Sequence, residues 1–298
     1  MKITYFGNFK NKIPTIDEDI LYSLKKGNEV KSFDLRDFDD KKMLKIIKAA
    51  NESDLFLFHG TIADMDDFTM SLILQRITVL LDAIKCKKVM WFLDKVVGTK
   101  VKIIMSLVDK LDYIFVSDDT WLRRFESDKI FPLHPGCSEK PIKGRFKKEL
   151  ECDIAFAGSL YGERVGMYEF LKKTFGERFK MFDDKYGKDY ADLCKSAKVI
   201  IVPQHPFDDF FWSDRIYTTM KNGGVVVHPR TQGIIEEGFE EGKHYFNYYS
   251  ESELYATLKM LISKENKGLR KMIGAESQYF VNKHFTYSDR IDEMLKKI

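Results

Sequence analysis

The sequence predicts two α/β domains in tandem, each a Rossmann-like, doubly wound parallel sheet. Three observations point there. Runs of β-rich residues alternate with helix-periodic segments, twice over. A stretch rich in proline, glycine and charge separates the two series. The 298 residues, 44% hydrophobic and 14% aromatic, suffice for two cores.

The first series of strands reads "KITYFG" (2–7), "EVKSFD" (29–34), "DLFLFHG" (54–60), "KVMWFLD" (88–94), "YIFVSD" (113–118) and "KIFPLHPG" (129–136). Each is followed by a polar or helix-periodic segment, the signature of parallel βαβ units. The first helix has a readable start. Thr15 with Glu18 makes a capping box, Ile16, Ile20, Leu21 and Leu24 form one face, and Gly27 stops it. Residues 1–136 are therefore an N-terminal domain. The stretch "PGCSEKPIKGRFKKELE" (135–151) breaks the pattern, and 137–151 reads as a linker.

The second series, in a domain spanning 152–265, comprises "CDIAFAG" (152–158), "RFKMF" (178–182), "AKVIIVPQ" (197–204), "GGVVVHP" (223–229) and "KHYFNY" (243–248). Helices are expected over about 162–174, 188–196, 213–222 and 250–263. Residues 266–298 keep helical periodicity, with apolar positions at Leu269, Met272, Ile273, Phe280, Ile291 and Leu295, and read as terminal helices packing across the domains.

Composition narrows the function classes. The formal charge of +3 is a small difference between 49 basic and 46 acidic groups, so it neither implies nor excludes a nucleic-acid partner. The pieces "KCKK" and "GRFKK" read as solvated surface. Cys86, Cys137, Cys152 and Cys194 lie far apart without a C-x-x-C pair, which suits reduced thiols in a cytoplasmic protein. "MKITYFGNFK" has too short an apolar run for a signal peptide. The longest apolar stretch, "MSLILQRITVLLDAI", is interrupted by Gln75 and Arg76, so no transmembrane segment is expected.

Open parallel sheets bind ligands beyond the carboxyl ends of their strands, and two such domains are expected to face one central cleft. At the head of the second domain, Gly158, Ser159, Leu160, Tyr161 and Gly162 link a strand to a helix whose first turn carries Arg164. Small residues, free N–H groups and the positive helix end favour an anion, although Glu163 opposes one and a plain βα turn explains the same residues. Ser213 or Asp214 can cap a later helix that begins with Arg215. That arginine either reaches the same anion or pairs with Asp208, Asp209 or Asp214. The aromatics of "FDDFFW" (207–212) either stack on a base or sugar or seal an interface. His134, His205 and His228 each precede a proline, a position that explains them without a metal.

Beyond these local readings, "DIAFAGSLYGER", "YADLCKSAKVIIVPQ", "SDRIYTTMKNGGVVV", "QGIIEEGFEEGKHYF" and "NKHFTYSDRIDEML", in that order, resemble the CgeB-like, group-1 branch of the glycosyltransferases. The resemblance implies the GT-B fold, a nucleotide-sugar donor (UDP- or GDP-sugar) held by the C-terminal domain, an acceptor site in the N-terminal one, and no required metal or other cofactor. It places Gly158, Ser159, Leu160, Tyr161 and Arg164 at the donor diphosphate, with Ser213, Arg215 and Tyr217 beside them and the backbone of Gly233 and Ile234 beneath. Where the family has a ribose-binding glutamate this sequence has Thr218, and the second motif carboxylate is replaced by Phe210. Asp214 or Asp209 is then the substitute, or the chain binds a different donor, or it is a non-catalytic GT-B-like binding or scaffolding protein. For a mechanism that needs a base, His59 and Asp94 end strands in the N-terminal domain, as does Asp118, with helix capping as the plain alternative. The acceptor expected is a hydroxyl on a glycan, lipid-linked sugar, protein or modified nucleic-acid base.

Overall fold

The structure, a computed structural model, describes residues 1–9, 15–35, 38–60, 67–123, 127–183, 185–204 and 207–298, without the side chains of 67–70. His205 lies outside the described residues. The chain divides into two compact units, Met1–Glu139 with Tyr287–Ile298, and Lys140–Thr286.

In chain order the elements are β1 (Lys2–Gly7), α1 (Ile16–Gly27), β2 (Glu29–Asp34), α2 (Asp40–Asn51), β3 (Leu55–His59), α3 (Asp67–Ala83), β4 (Lys87–Phe92), α4 (Thr99–Leu107), β5 (Tyr113–Val116), α5 (Asp119–Leu122) and β6 (Ile130–Pro132). They continue with β7 (Cys152–Ala157), α6 (Glu163–Phe175), β8 (Phe179–Phe182), α7 (Gly187–Ser196), β9 (Ala197–Ile201), α8 (Arg215–Lys221), β10 (Val226–Pro229), α9 (Gln232–Glu236), β11 (Phe246–Tyr248), α10 (Glu251–Ile262), α11 (Lys267–His284) and α12 (Tyr287–Lys297). The last helix returns to the first unit.

In the first unit the strands run in the order β2-β1-β3-β4-β5-β6, every pair parallel. Successive side chains alternate between faces, so β1 and β3 sort their residues onto two cores. Phe6, Phe56 and Phe58 pack with Ile46 of α2, Leu80 of α3 and Ile104 of α4. Tyr5, Leu55 and Leu57 pack on the other face with Ile20 and Leu24 of α1 and with Tyr287 and Ile291 of α12. Helices on both faces make the sheet doubly wound, and its strand order reverses between β1 and β3. The capping of α1 follows the sequence reading, Thr15 Oγ1 accepting from the Glu18 N–H at 3.3 Å.

The second sheet runs β11-β10-β9-β7-β8, again all parallel, with its reversal between β7 and β9. Ile154, Phe156, Val199, Ile201 and Val227 pack against Leu171 of α6, Leu258 of α10 and Ile273 of α11. Two expected strands come out shorter, for local reasons. "KIFPLHPG" is a strand only over Ile130–Pro132, because Pro132 and Pro135 cannot donate to a ladder. "GGVVVHP" begins at Val226 because Gly223, at φ 71°, closes α8 in the left-handed region. The segment after β10 contains the short helix α9. The expected linker is tied down. The Arg145 N–H donates to Asp192 Oδ1 at 2.7 Å and the Lys147 N–H to Ser196 Oγ at 2.9 Å. At Gly144 a Cβ would lie 2.1 Å from the Ala191 carbonyl oxygen.

Candidate active site

The second unit's switch point lies where β7 ends at Ala157. Gly158 and Gly162 take φ values of 150° and 53°, conformations that L side chains rarely adopt, and Gly162 leads into α6 without a side-chain cap. This turn brings two guanidinium groups onto one short length of backbone. Arg164 Nη1 donates to the Ser159 carbonyl at 3.4 Å and its guanidinium stacks 4.5 Å over the Tyr161 ring. Arg215 Nη1 donates to the Ala157 carbonyl. Among the described residues neither pairs with a carboxylate, so the surface pairing of Arg215 with Asp208, Asp209 or Asp214 is not what forms. Arg164 Nε is buried without a hydrogen-bond partner among those residues. Burial first, and the neighbouring Arg215 charge with it, pull the Arg164 pKa below its ordinary value. Two like charges, one of them partly desolvated, cost free energy until an anion joins them.

The same turn borders a pocket of about 360 Å³, lined by Glu163, Arg164, Pro203, Gln204, Phe207, Asp209, Tyr248 and Tyr249 among others. Its wall combines aromatic rings, a guanidinium and carboxylates. Phe207 is half exposed here, whereas Trp212 is buried in the core. The aromatic run "FDDFFW" is thus divided between pocket and packing.

The other expected donor residues stand as follows. Ser159 lends its carbonyl to Arg164, while Leu160 and Tyr161 are exposed on the turn. Ser213 Oγ accepts from the Arg215 N–H at 3.0 Å and contacts Asp214 Oδ1 at 3.4 Å, fixing the start of α8. Two of the expected residues have their polar groups engaged within the fold. Tyr217 is fully buried, accepting from Trp212 Nε1 at 2.9 Å and donating to Glu237, so its hydroxyl braces α8 against the segment after α9. The Gly233 N–H donates to the Asp209 carbonyl at 2.7 Å, so that amide is taken within the fold. Gly233 is glycine for packing: a Cβ would lie 2.4 Å from the Trp212 ring. Ile234 is buried, and the Thr218 N–H is held by the Asp214 carbonyl at 3.1 Å.

In the first unit, His59 ends β3 beside that sheet's own switch point. Its Nδ1 lies 2.7 Å from Asp17 Oδ1, both side chains 3% exposed. Burial opposes charge on the imidazole, but the Asp17 carboxylate, their hydrogen bond and the charge of Asp94 outweigh it and raise the His59 pKa. Asp94, after β4, pairs with Lys100 at 3.2 Å and is 40% exposed. Asp118 takes the capping role, accepting from the Trp121 N–H at 3.3 Å and from the Val96 N–H at 2.8 Å. His228 is a buried ring and His134 a partly buried one, and desolvation pushes their pKa values down to about 4 and about 3. Asp17, Tyr5, Gln204 and Tyr248 carried no separate signal in the sequence. Asp17 reads there as an ordinary acidic residue of a first helical turn.

Among the described residues no helix is long and apolar enough to cross a membrane. A search of curated proteins by sequence finds no match. Solved structures share the fold. The crystal structure of Anabaena Alr3699/HepE in complex with UDP and glucose covers 100% of both chains at 14% identity, with a TM-score of 0.65. An alpha-glucosyltransferase in complex with UDP and a 13-mer DNA containing a central A:G mismatch covers 99% of each chain at 12% identity, TM-score 0.69. The lipopolysaccharide outer core galactosyltransferase WaaB, in its apo form, covers 100% of each at 12% identity, TM-score 0.59. These likenesses give the GT-B fold, two parallel-sheet α/β domains. The glycosyl transferase-like family matches residues 146–296, which hold the paired arginines, the pocket and the motifs that follow them. By that match over half of its length, the chain belongs to the glycosyl transferase-like family.

Proposed function

We propose that this glycosyltransferase takes a sugar from a nucleoside diphosphate sugar held by its second unit and transfers it to an acceptor hydroxyl. The observation that carries this reading is the convergence of Arg164 and Arg215 on the Ala157–Ser159 backbone without a carboxylate partner among the described residues. A diphosphate placed there supplies the missing negative charge, and both guanidiniums stabilise the charge that builds on it as the glycosidic bond breaks.

UDP or GDP is the nucleotide. UDP is favoured because HepE and the alpha-glucosyltransferase, which share this fold, were solved with UDP. Asp209 replaces the carboxylate absent at Thr218, since it borders the same pocket as Arg164 and Asp214 does not. A carboxylate accepts two hydrogen bonds from adjacent ribose hydroxyls. The motif order supports placing the chain near the CgeB-like branch. His59 is the residue proposed to accept the acceptor's proton, with Asp94 adding negative charge nearby. The acceptor belongs to a hydroxyl-bearing class: glycan, lipid-linked sugar, protein or modified nucleic-acid base.

The test is a panel of UDP- and GDP-sugars read by calorimetric binding and by nucleotide release. Binding of one nucleotide, with its sugar hydrolysed or transferred, is expected. Absence of binding to every member at millimolar concentration defeats the proposal.

A further inference from the structure

Arg215 is held by more contacts than the first residue of a helix needs. Its N–H donates to Ser213 Oγ at 3.0 Å and its Nη1 to the Ala157 carbonyl. Its own carbonyl accepts from Thr219 Oγ1, one turn along α8, at 2.6 Å. Tyr190 of α7 meets the arginine twice, once directly and once through Thr219. The Arg215 guanidinium stands 5.4 Å over the Tyr190 ring, and the Tyr190 hydroxyl lies 2.6 Å from the same Thr219 Oγ1.

The direction of these hydrogen bonds follows from the donors available. A carbonyl only accepts, so the Thr219 proton is committed to Arg215, and the Thr219 oxygen is left to accept from Tyr190. Burial raises the Tyr190 pKa, which keeps that hydroxyl protonated and donating. The relay therefore runs from the Tyr190 hydroxyl to the Thr219 hydroxyl to the Arg215 carbonyl. Tyr190 is 3% exposed and Thr219 is fully buried, so water does not compete for either group.

Arg164 supplies the contrast. It stacks on Tyr161, a ring 47% exposed, and its hydrogen bond to the Ser159 carbonyl is long, at 3.4 Å. Arg215 stands instead on a buried ring from a separate helix, and the electron-rich face of that ring offsets the repulsion between the two guanidiniums. We propose that Tyr190 is the positioning residue of Arg215, its ring and, through Thr219, its hydroxyl keeping the guanidinium aimed at the end of β7 before a donor arrives. The inference rests on the diphosphate lying against Arg164 and Arg215. A side chain fixed in advance loses little freedom when the anion binds, so its ordering weighs on folding and not on affinity.

Nitrogen NMR of the full chain labelled at arginine, with Arg215 assigned through Arg215→Met, reads the positioning in the protein without nucleotide. A held guanidinium turns slowly about its Cζ–Nε bond and gives separate Nη signals. These are expected in the wild type and in Tyr190→Phe, which keeps the ring. In Tyr190→Met, which fills the volume without a π face, they should merge. Merged signals in the free wild type overturn the proposal without any variant having to fold, and separate signals in Tyr190→Met overturn it as well.

Titration with UDP and GDP carries the test to binding. Tyr190→Met should weaken binding of the nucleotide that the wild type takes by about 2- to 30-fold. Tyr190→Phe should recover affinity to within about 3-fold of wild type. In an Arg215→Met background, Tyr190→Met should change affinity no further. An equal loss with Arg215 absent means that Tyr190 acts through the fold alone, and defeats the proposal. Absence of UDP and GDP binding to the wild type defeats the donor reading instead and leaves the Arg215 signals to decide the positioning.

Discussion

Replacing Arg164 by methionine separates a ligand-binding role from a structural one, because the two predict opposite effects on the unliganded protein. Methionine keeps an apolar stem over Tyr161 and removes the guanidinium that sits beside Arg215, its Nε without a partner among the described residues. What the free protein loses is a long hydrogen bond of 3.4 Å to the Ser159 carbonyl; what it sheds is like-charge repulsion and a buried donor. Its unfolding free energy is therefore expected to stay within about 0.5 kcal/mol of wild type or to rise. With nucleotide the balance reverses. Charge-assisted hydrogen bonds to a diphosphate are worth about 1.5–3 kcal/mol, so Kd should increase about 10- to 150-fold. At a ligand concentration near 100 times the wild-type Kd, wild type gains about 2.7 kcal/mol of stability, and a variant weakened 30-fold gains only about 0.9 kcal/mol. Calorimetric titration with UDP and GDP, with denaturant unfolding in their presence and absence, measures both effects. Unchanged affinity, or a free protein destabilised by several kcal/mol, would refute the reasoning.

Tyr217 and Gly233, engaged within the fold, are expected to behave as structural residues. Tyr217→Phe leaves the buried Trp212 N–H without its acceptor and should cost about 1–3 kcal/mol in denaturant unfolding, with nucleotide affinity unchanged; lost affinity at intact stability would return Tyr217 to the site. Gly233→Ala forces a Cβ against the Trp212 ring and should destabilise by about 1–3 kcal/mol. By contrast Gly166→Ala, with nothing within 4 Å of the added atom in α6, should stabilise by about 0.5–1 kcal/mol. The buried ring of His228 has a folded pKa of about 4, so the unfolded chain binds the extra proton as pH falls. Its contribution is fully present above about pH 6.5 and is lost on acidification, up to about 3 kcal/mol by pH 4. His228→Gln should flatten the measured stability profile across that window, and an unaltered slope would contradict the burial argument.

Much of the fold was legible because its signals are local. Each expected strand coincides with an observed one within a few residues, since a buried parallel strand is a short apolar run whose ends are marked by glycine, proline or acid. The capping of α1 and the glycine turn before Arg164 were equally readable, each set within a few consecutive residues. The short helix α9 was not. Its five residues, Gln232–Glu236, carry too little periodicity to mark a helix. The packing of Tyr217 was not legible for another reason. A motif position shows which residue follows which, but not that Trp212 and Glu237 close around its hydroxyl.

The sequence by itself determined the element types, the presence of two parallel α/β series, and which arginines stand at helix starts, because each depends on neighbours within a turn or a strand. Tertiary structure alone decided the strand orders and with them the two switch points. It also decided that Arg215 reaches the carbonyl of Ala157, and that Asp17 closes on His59 across 42 residues of chain. Such contacts have no local signature. They form only when the hydrophobic faces of distant strands and helices are buried together, and burial of those faces, not the order of the polar residues, chooses which side chains meet.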